Sequence, residues 1–269
     1  MIYLTCFLVS AIGGLLVGGI GTGSSLIVLP ALVLVFDQLL PNLESVRFAA
    51  GTTMATIAVG AIAGGISRYR AGQVDMSLVR LLLLPYTLGA FAGPWVATLL
   101  SVAVLKTYIA CLVILIAASL LFRARPGVEK QLGIDGHKIE IAGVLTIVAL
   151  LSSMGGIASG VFAIPYLMRF ALPMQTIIGT STVGAGIFAS FGTVGYISAG
   201  INNTASVDHT LGYVYLPIFA LMAVTAAVFT PVGVKLSDRL DDRLIKNILA
   251  VFLFASALTI LRDGLFSYG

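Results

Sequence analysis

The sequence predicts an all-α integral membrane protein, a polytopic helical bundle built from two inverted repeats. Three observations carry this prediction: the composition, a duplicated glycine/serine motif and the distribution of lysine and arginine. Hydrophobic residues make up 59% of the chain, charged residues 10%, and the mean hydropathy is +1.08, which is typical of a chain that lies in a bilayer. Apolar runs near the roughly 20 residues of a spanning helix include 76–101, 102–122 and 248–261.

A glycine- and serine-rich motif interrupts two apolar segments. The first copy reads Gly21-Thr22-Gly23-Ser24-Ser25 and is followed by Pro30; the second reads Gly156-Ile157-Ala158-Ser159-Gly160 and is followed by Pro165. Lipid offers no hydrogen bonds to open backbone, so such an interruption must lie inside the protein or line a cavity. Paired interruptions in the two halves of a membrane protein indicate a transporter's binding site.

Further matches extend the motif into a repeat of the whole chain. Gly51-Thr52-Thr53 corresponds to Gly179-Thr180-Ser181, and the Leu-Pro pair that ends at Pro85 corresponds to the pair that ends at Pro217. The order of the matched elements is the same in both halves. We therefore predict a first transmembrane repeat over residues 1–122, a cytoplasmic linker loop over 123–138 and a second transmembrane repeat over 139–269.

The distribution of lysine and arginine decides between two topologies. If each motif segment crosses the membrane once, the basic residues divide almost evenly between the two sides. If each segment instead turns back at its motif, Arg47, Lys106 and Arg262 lie on one side and the other twelve of the fifteen basic residues lie on the opposite side. The positive-inside rule favours this second arrangement, in which each inverted repeat is a broken hairpin followed by three spanning helices. Both termini are then periplasmic.

Each hairpin predicts an anion site. Its second helix is expected to begin near Ser24-Ser25 in one half and near Ser159-Gly160 in the other, so that unpaired N–H groups and the positive dipole end point into the membrane interior. Hydroxyl groups add further donors. The predicted substrate-binding residues are Gly21, Thr22, Gly23, Ser24, Ser25, Thr52, Thr53, Gly156, Ser159, Gly160, Thr180 and Ser181.

Alternatives stay open for several of these residues. Close helix packing through small residues is the alternative for the motif glycines. The pairs Thr52-Thr53 and Thr180-Ser181 are expected to head helices over 54–66 and 182–197 and to complete an oxyanion cage; the alternative is that they bond to carbonyls of their own helices. Arg47, with Gln175 at the matching position of the second half, is expected as a counter-ion or polar partner, and snorkelling to the interface is the alternative for the arginine.

The two motifs resemble the Gly-x-Gly-Gly-Gly-Leu-Ile-x-Val-Pro signature of the TauE/SafE sulfite-exporter family, over residues 21–30 and again over 156–165. The resemblance covers nearly the whole chain, including its duplicated layout. It implies a secondary transporter of the bacterial inner membrane that exports sulfite or an organosulfonate such as sulfoacetate. Ser24 and Ser25 stand where the signature has glycines, which leaves another small oxyanion open as the substrate.

The positions of the ionisable residues narrow the range of possible functions and transport mechanisms. All eleven acidic residues fall in predicted loops or at helix ends, so no buried carboxylate offers a proton relay or a cation site. No cluster at membrane depth suits an enzyme or a metal centre, and no cofactor is expected. A cation transporter and a non-transporting assembly factor remain as alternatives. The expected partners are a small anion and the lipid bilayer, not nucleic acid; a homodimer stays open.

Overall fold

A computed structural model of the chain describes residues 2–20, 24–40, 44–122, 133–170, 172–203 and 207–236. The helices within these ranges are α1 (Ile2–Ile20), α2 (Ser24–Leu39), α3 (Ser45–Arg70), α4 (Met76–Leu99), α5 (Val102–Phe122), α6 (Lys138–Met154), α7 (Gly160–Leu167), α8 (Met174–Gly200) and α9 (Leu216–Leu236). A short 3-10 turn (Asp135–His137) precedes α6. The antiparallel pair of two-residue strands β1 (Thr210–Leu211) and β2 (Val214–Tyr215) precedes α9.

The predicted all-helical membrane architecture is confirmed. Five of the described helices, α1, α3, α4, α8 and α9, are long and apolar enough to cross a membrane. The second predicted interruption is present, because α6 ends at Met154 and α7 begins at Gly160; the first falls on residues 21–23, which lie outside the described residues. At the second interruption Gly156 has φ +67°, and a methyl group placed there would lie 2.6 Å from the Cα of Ala50 on α3. Only glycine suits this position.

The helices α3 and α8, which correspond to each other in the two repeats, pack side by side in opposite directions. Gly51 near the start of α3 lies against Tyr196 near the end of α8, and Gly65 near the end of α3 lies against Val183 near the start of α8. Equivalent helices that run antiparallel are what inverted repeats require, so this contact supports the predicted inversion.

Two further helix pairs join the halves, and these two pairs are equivalent to each other. The α1 helix runs parallel to α9 from the other half, with Gly14 and Gly18 lying against Thr230. The α6 helix likewise runs parallel to α4, with Gly93 lying against Ser153. Each hairpin therefore packs on a helix of the opposite repeat. The domain boundaries stay a prediction, because residues 237–269 lie outside the described part of the chain.

The expectation that the two hydroxyl pairs head their helices is wrong. The α3 helix begins at Ser45 and α8 begins at Met174, so Thr52-Thr53 and Thr180-Ser181 lie about two turns inside. Between the helix starts and the pairs, the only glycines or prolines are Gly51 and Gly179, and a single glycine does not stop an apolar helix that is packed on both sides. The backbone N–H groups at the pairs are consequently used within the helices.

Candidate functional site

The two glycine/serine motifs touch each other at the centre of the bundle. The hydroxyl oxygen of Ser25, in the first turn of α2, accepts a hydrogen bond of 2.9 Å from the N–H of Ala158 in the second motif. Both residues are buried. The two motifs are therefore in direct contact through described residues, while Gly21, Thr22 and Gly23 lie outside the described part of the chain.

Four predicted site residues carry hydroxyl groups that are buried without a hydrogen-bond partner. They are Ser24 and Ser159 at the two motifs and Thr53 and Ser181 on α3 and α8. The residues are between 0% and 6% exposed, so bulk solvent does not reach them. A buried hydroxyl without a partner costs free energy. They occur at equivalent positions of the two halves.

The first members of the two hydroxyl pairs have a structural task. The Thr52 hydroxyl oxygen accepts a hydrogen bond of 3.1 Å from the N–H of Tyr215, and the Thr180 hydroxyl oxygen accepts one of 3.0 Å from the N–H of Asp75. In each case the donor belongs to the segment that leads into the next helix of the opposite repeat. Thr52 and Thr180 therefore hold the two halves together.

One face of α3 runs from the second motif to the first. Ala50 lies against Gly156 of the second motif, and Ile57 and Gly60 line a small cavity that is also lined by Ser24. Residues spaced by three or four share a helix face, which places Thr53 between these two contacts. Thr53 thus lies on the face of α3 that connects both motifs.

The cavity beside the first motif has a volume of about 10 Å³, the size of one water molecule. Four hydroxyl-bearing residues from four helices are among those that line it: Ser10 of α1, Ser24 of α2, Thr56 of α3 and Thr230 of α9. Ser24 and Thr230 have no hydrogen-bond partner, whereas Ser10 and Thr56 donate to carbonyl oxygens. The cavity is thus formed by helices of both predicted repeats.

The second motif has a different neighbour. Tyr86 of α4 is fully buried with its hydroxyl group beside Ser159, and its ring packs on Phe188 of α8 with centroids 5.9 Å apart. Neither the tyrosine hydroxyl nor Ser159 has a hydrogen bond of ordinary geometry. The second motif is therefore filled by an aromatic side chain where the first borders a cavity.

The prediction of one oxyanion cage made from both hydroxyl pairs is wrong. Because α3 and α8 run antiparallel, Ser181 lies beside the end of α3 that carries Gly65, while Thr53 lies near the other end. At 1.5 Å per residue the two hydroxyl groups are separated by about 20 Å along the helix axis.

The expectation of free N–H groups at the start of α7 is also wrong for three residues. The N–H of Val161 donates to the carbonyl of Ala158, and those of Phe162 and Ala163 donate to the carbonyl of Ser159. Ser159 already has helical dihedral angles, with φ −57° and ψ −29°, so the carbonyls before the helix are aligned to accept. Side-chain hydroxyls, rather than these N–H groups, are the free donors at this motif.

The two residues expected as counter-ion or polar partner lie apart from the motifs. Arg47 is 5% exposed; it pairs with Glu44 and donates to the carbonyls of Thr98 (3.2 Å) and Leu100 (2.6 Å) at the end of α4. These bonds fix the start of α3 to the end of α4. Gln175 is exposed at the start of α8.

Sequence reasoning missed Arg68, which it assigned to a loop. The side chain is 2% exposed and lies in the last turn of α3, where Nη2 donates to the carbonyls of Gly18 and Gly19 at the end of α1. Tyr196 of α8 does the same in the second half, donating to the carbonyls of Ser153 and Met154 at the end of α6. Extending the repeat alignment along α3 and α8 would have paired these two residues.

Comparison with known proteins places these features in one family. The family model "Sulfite exporter TauE/SafE" matches residues 6–260. A probable membrane transporter protein of Haemophilus influenzae is 27% identical over 258 residues, which cover 95% of this chain and 96% of the relative. A probable membrane transporter protein of Methanocaldococcus jannaschii is 23% identical over 261 residues, or 94% of this chain and 91% of the relative. No solved structure matches the chain significantly.

Proposed function

Since the chain belongs to the sulfite exporter TauE/SafE family of membrane transporters, we propose that it exports a small sulfur oxyanion across the bacterial inner membrane. Sulfite and organosulfonates such as sulfoacetate are the proposed substrates. The family consists of transporters and not of enzymes. The observation that carries the proposal is the set of buried, unpartnered hydroxyls at the two touching motifs.

These hydroxyls suit an oxyanion because each can donate a hydrogen bond to a negatively charged oxygen. A hydrogen bond to a charged group is worth about 1.5–3 kcal/mol, so two or three donors compensate much of the cost of dehydrating a small anion. Ser24 and Ser159 flank the contact between the motifs, and Thr53 lies on the helix face that joins them. The proposed site therefore lies between the two repeats, where transporters with inverted repeats bind substrate.

Substrate entry requires the helices to move. A sulfite ion has four heavy atoms and does not fit a cavity of about 10 Å³. The cavity is closed by α1 on one side and α9 on the other, with Gly14 against Thr230. We infer that this arrangement is a closed state and that rocking one repeat against the other enlarges the cavity.

Membrane potential is the proposed driving force. The described acidic residues lie at helix ends or in connecting segments, namely Asp37, Glu44, Asp75, Asp135, Glu140 and Asp208. None of these is placed to relay a proton through the bundle. An anion that leaves a cell with a negative interior gains about 2.3 kcal/mol per charge per 100 mV.

Flux measurements in proteoliposomes test this proposal. Vesicles containing the purified protein are loaded with sulfite, and efflux is followed with a potential of defined sign imposed by a potassium gradient and valinomycin. We expect a negative interior to accelerate efflux, and sulfoacetate to compete more strongly than phosphate. Preferential competition by another oxyanion would reassign the substrate. Efflux that follows a pH gradient and ignores the potential would exclude the electrogenic mechanism, and absence of any anion flux would overturn the transport proposal.

A further inference from the structure

The carbonyl oxygens at the end of α1 accept hydrogen bonds from the positively charged side chain of Arg68. Nη2 of Arg68 lies 2.5 Å from the carbonyl oxygen of Gly18 and 3.1 Å from that of Gly19, and Nη1 donates to the side-chain oxygen of Gln73 at 2.8 Å. These two glycines directly precede Ile20, the last residue of α1, and the first motif follows in the sequence. A buried guanidinium therefore closes the broken end of this helix.

The C-terminal end of a broken membrane helix attracts cations for two reasons. Its last carbonyls have no partner within the helix, and the helix dipole places negative partial charge there. In transporters built from inverted repeats, such ends bind the coupling sodium ion or proton. Arg68 occupies this position in the present chain.

In the second half, the equivalent carbonyls accept hydrogen bonds from a neutral side chain. Tyr196 follows Thr180 at the same distance along the chain as Arg68 follows Thr52. Its hydroxyl donates to the carbonyls of Ser153 (3.0 Å) and Met154 (2.8 Å) at the end of α6. An arginine and a tyrosine thus donate hydrogen bonds to equivalent carbonyls in the two repeats. Capping these carbonyls therefore does not by itself require a positive charge.

We propose that Arg68 is a tethered cation that replaces a coupling sodium ion at the first motif. The proposal rests on the transport function proposed above and states which residue supplies the positive charge at that site. The guanidinium fills the cation position permanently, so substrate binding and transport need no sodium. Its charge also favours an anion at the neighbouring first motif, and the neutral Tyr196 gives no such help at the second.

The first test measures cation binding without any transport. Purified wild type, Arg68→Ala, Arg68→Tyr and the control Arg70→Ala are compared by thermal unfolding in choline, sodium and dilute guanidinium chloride. Arg70 is exposed on the same helix end, so its removal changes the net charge equally. We expect sodium and choline to be equivalent for the wild type, and guanidinium to raise the melting temperature of Arg68→Ala alone. A specific stabilisation of the wild type by sodium would overturn the proposal, as would an Arg68→Ala variant that guanidinium does not stabilise.

The second test measures the effect of the charge on the anion. Arg68→Tyr keeps a donor for the carbonyls of Gly18 and Gly19, as Tyr196 does in the other half, and removes the charge together with the bond to Gln73. We expect it to unfold near the wild-type temperature and to bind sulfite about tenfold more weakly, while Arg70→Ala binds normally. Equal sulfite affinity in Arg68→Tyr and wild type would refute the role of the charge. If the wild type binds no anion, the proposed substrate fails, and the thermal test with guanidinium still decides whether Arg68 occupies a cation site.

Discussion

Replacing Ser24 and Ser159 by alanine separates binding from stability, because neither hydroxyl makes a hydrogen bond of ordinary geometry within the described part of the protein. Both side chains are buried, at 6% and 0% exposure. Removing a buried hydroxyl that makes no hydrogen bond removes an unfavourable group. We therefore expect the double variant to be at least as stable as the wild type.

Ser25→Ala is the matched control at the neighbouring position. Its hydroxyl oxygen accepts the N–H of Ala158 at 2.9 Å, and the substitution leaves that buried N–H without an acceptor. An unsatisfied buried donor costs about 1–3 kcal/mol. The control is therefore expected to lower thermal stability, in contrast to the double variant.

Anion affinity should respond strongly to the double substitution. A hydrogen bond to a charged group contributes about 1.5–3 kcal/mol, and 1.4 kcal/mol corresponds to a factor of ten in affinity. Losing even one such bond therefore weakens binding at least about tenfold. The assay is calorimetric titration of purified protein with sulfite, next to thermal unfolding of the same samples. A stable double variant with unchanged sulfite affinity would refute the binding role and assign both serines to helix packing.

Four further predictions concern topology, stability, pH and driving force. Cysteines introduced at the exposed Gly133 and Asn202 should be labelled from opposite sides of the membrane, and labelling from the same side would exclude inverted repeats. Tyr196→Phe leaves two buried carbonyls without their donor and should lower thermal stability by about 1–3 kcal/mol, whereas Tyr69→Phe, at an exposed position, should have little effect. The Ser77 hydroxyl lowers the pKa of Asp75, the N-cap residue of α4. The ionised Asp75 carboxylate therefore stabilises the fold above the ordinary carboxyl pKa, and this stabilisation is lost as the pH falls through the lower pKa that Asp75 has in the folded protein. An Asp75→Asn variant should lack that part of the acid sensitivity in pH-dependent melting curves. Reversing the imposed potential in proteoliposomes should slow sulfite efflux, and equal rates at both signs would contradict electrogenic export.

Sequence patterns predicted the helix breaks well because glycine clusters and a following proline act locally. The start of α7 at Gly160 followed directly from the second motif. The hydroxyl pairs were placed wrongly because a single glycine in an apolar run does not indicate whether the preceding residues continue the helix. That outcome depends on packing against the opposite repeat.

The role of Arg68 could not be derived from local sequence. A basic residue at the end of an apolar run is ordinarily interfacial, and its carbonyl partners Gly18 and Gly19 lie about 50 residues earlier in the chain. The same limitation applies to Thr52 and Thr180, whose partners belong to the opposite half. Hydrophobic periodicity predicts which segments are helices, but only the three-dimensional arrangement shows which carbonyls remain to be capped.

The reciprocal bonds from Tyr215 to Thr52 and from Asp75 to Thr180 also determine how the bundle can move. Each repeat holds the connecting segment of the other, and the two bonds lie toward opposite ends of the antiparallel pair of α3 and α8. A rotation of one repeat against the other therefore loads both bonds at once. The two bonds, one toward each end of the helix pair, therefore constrain the same relative movement of the two repeats.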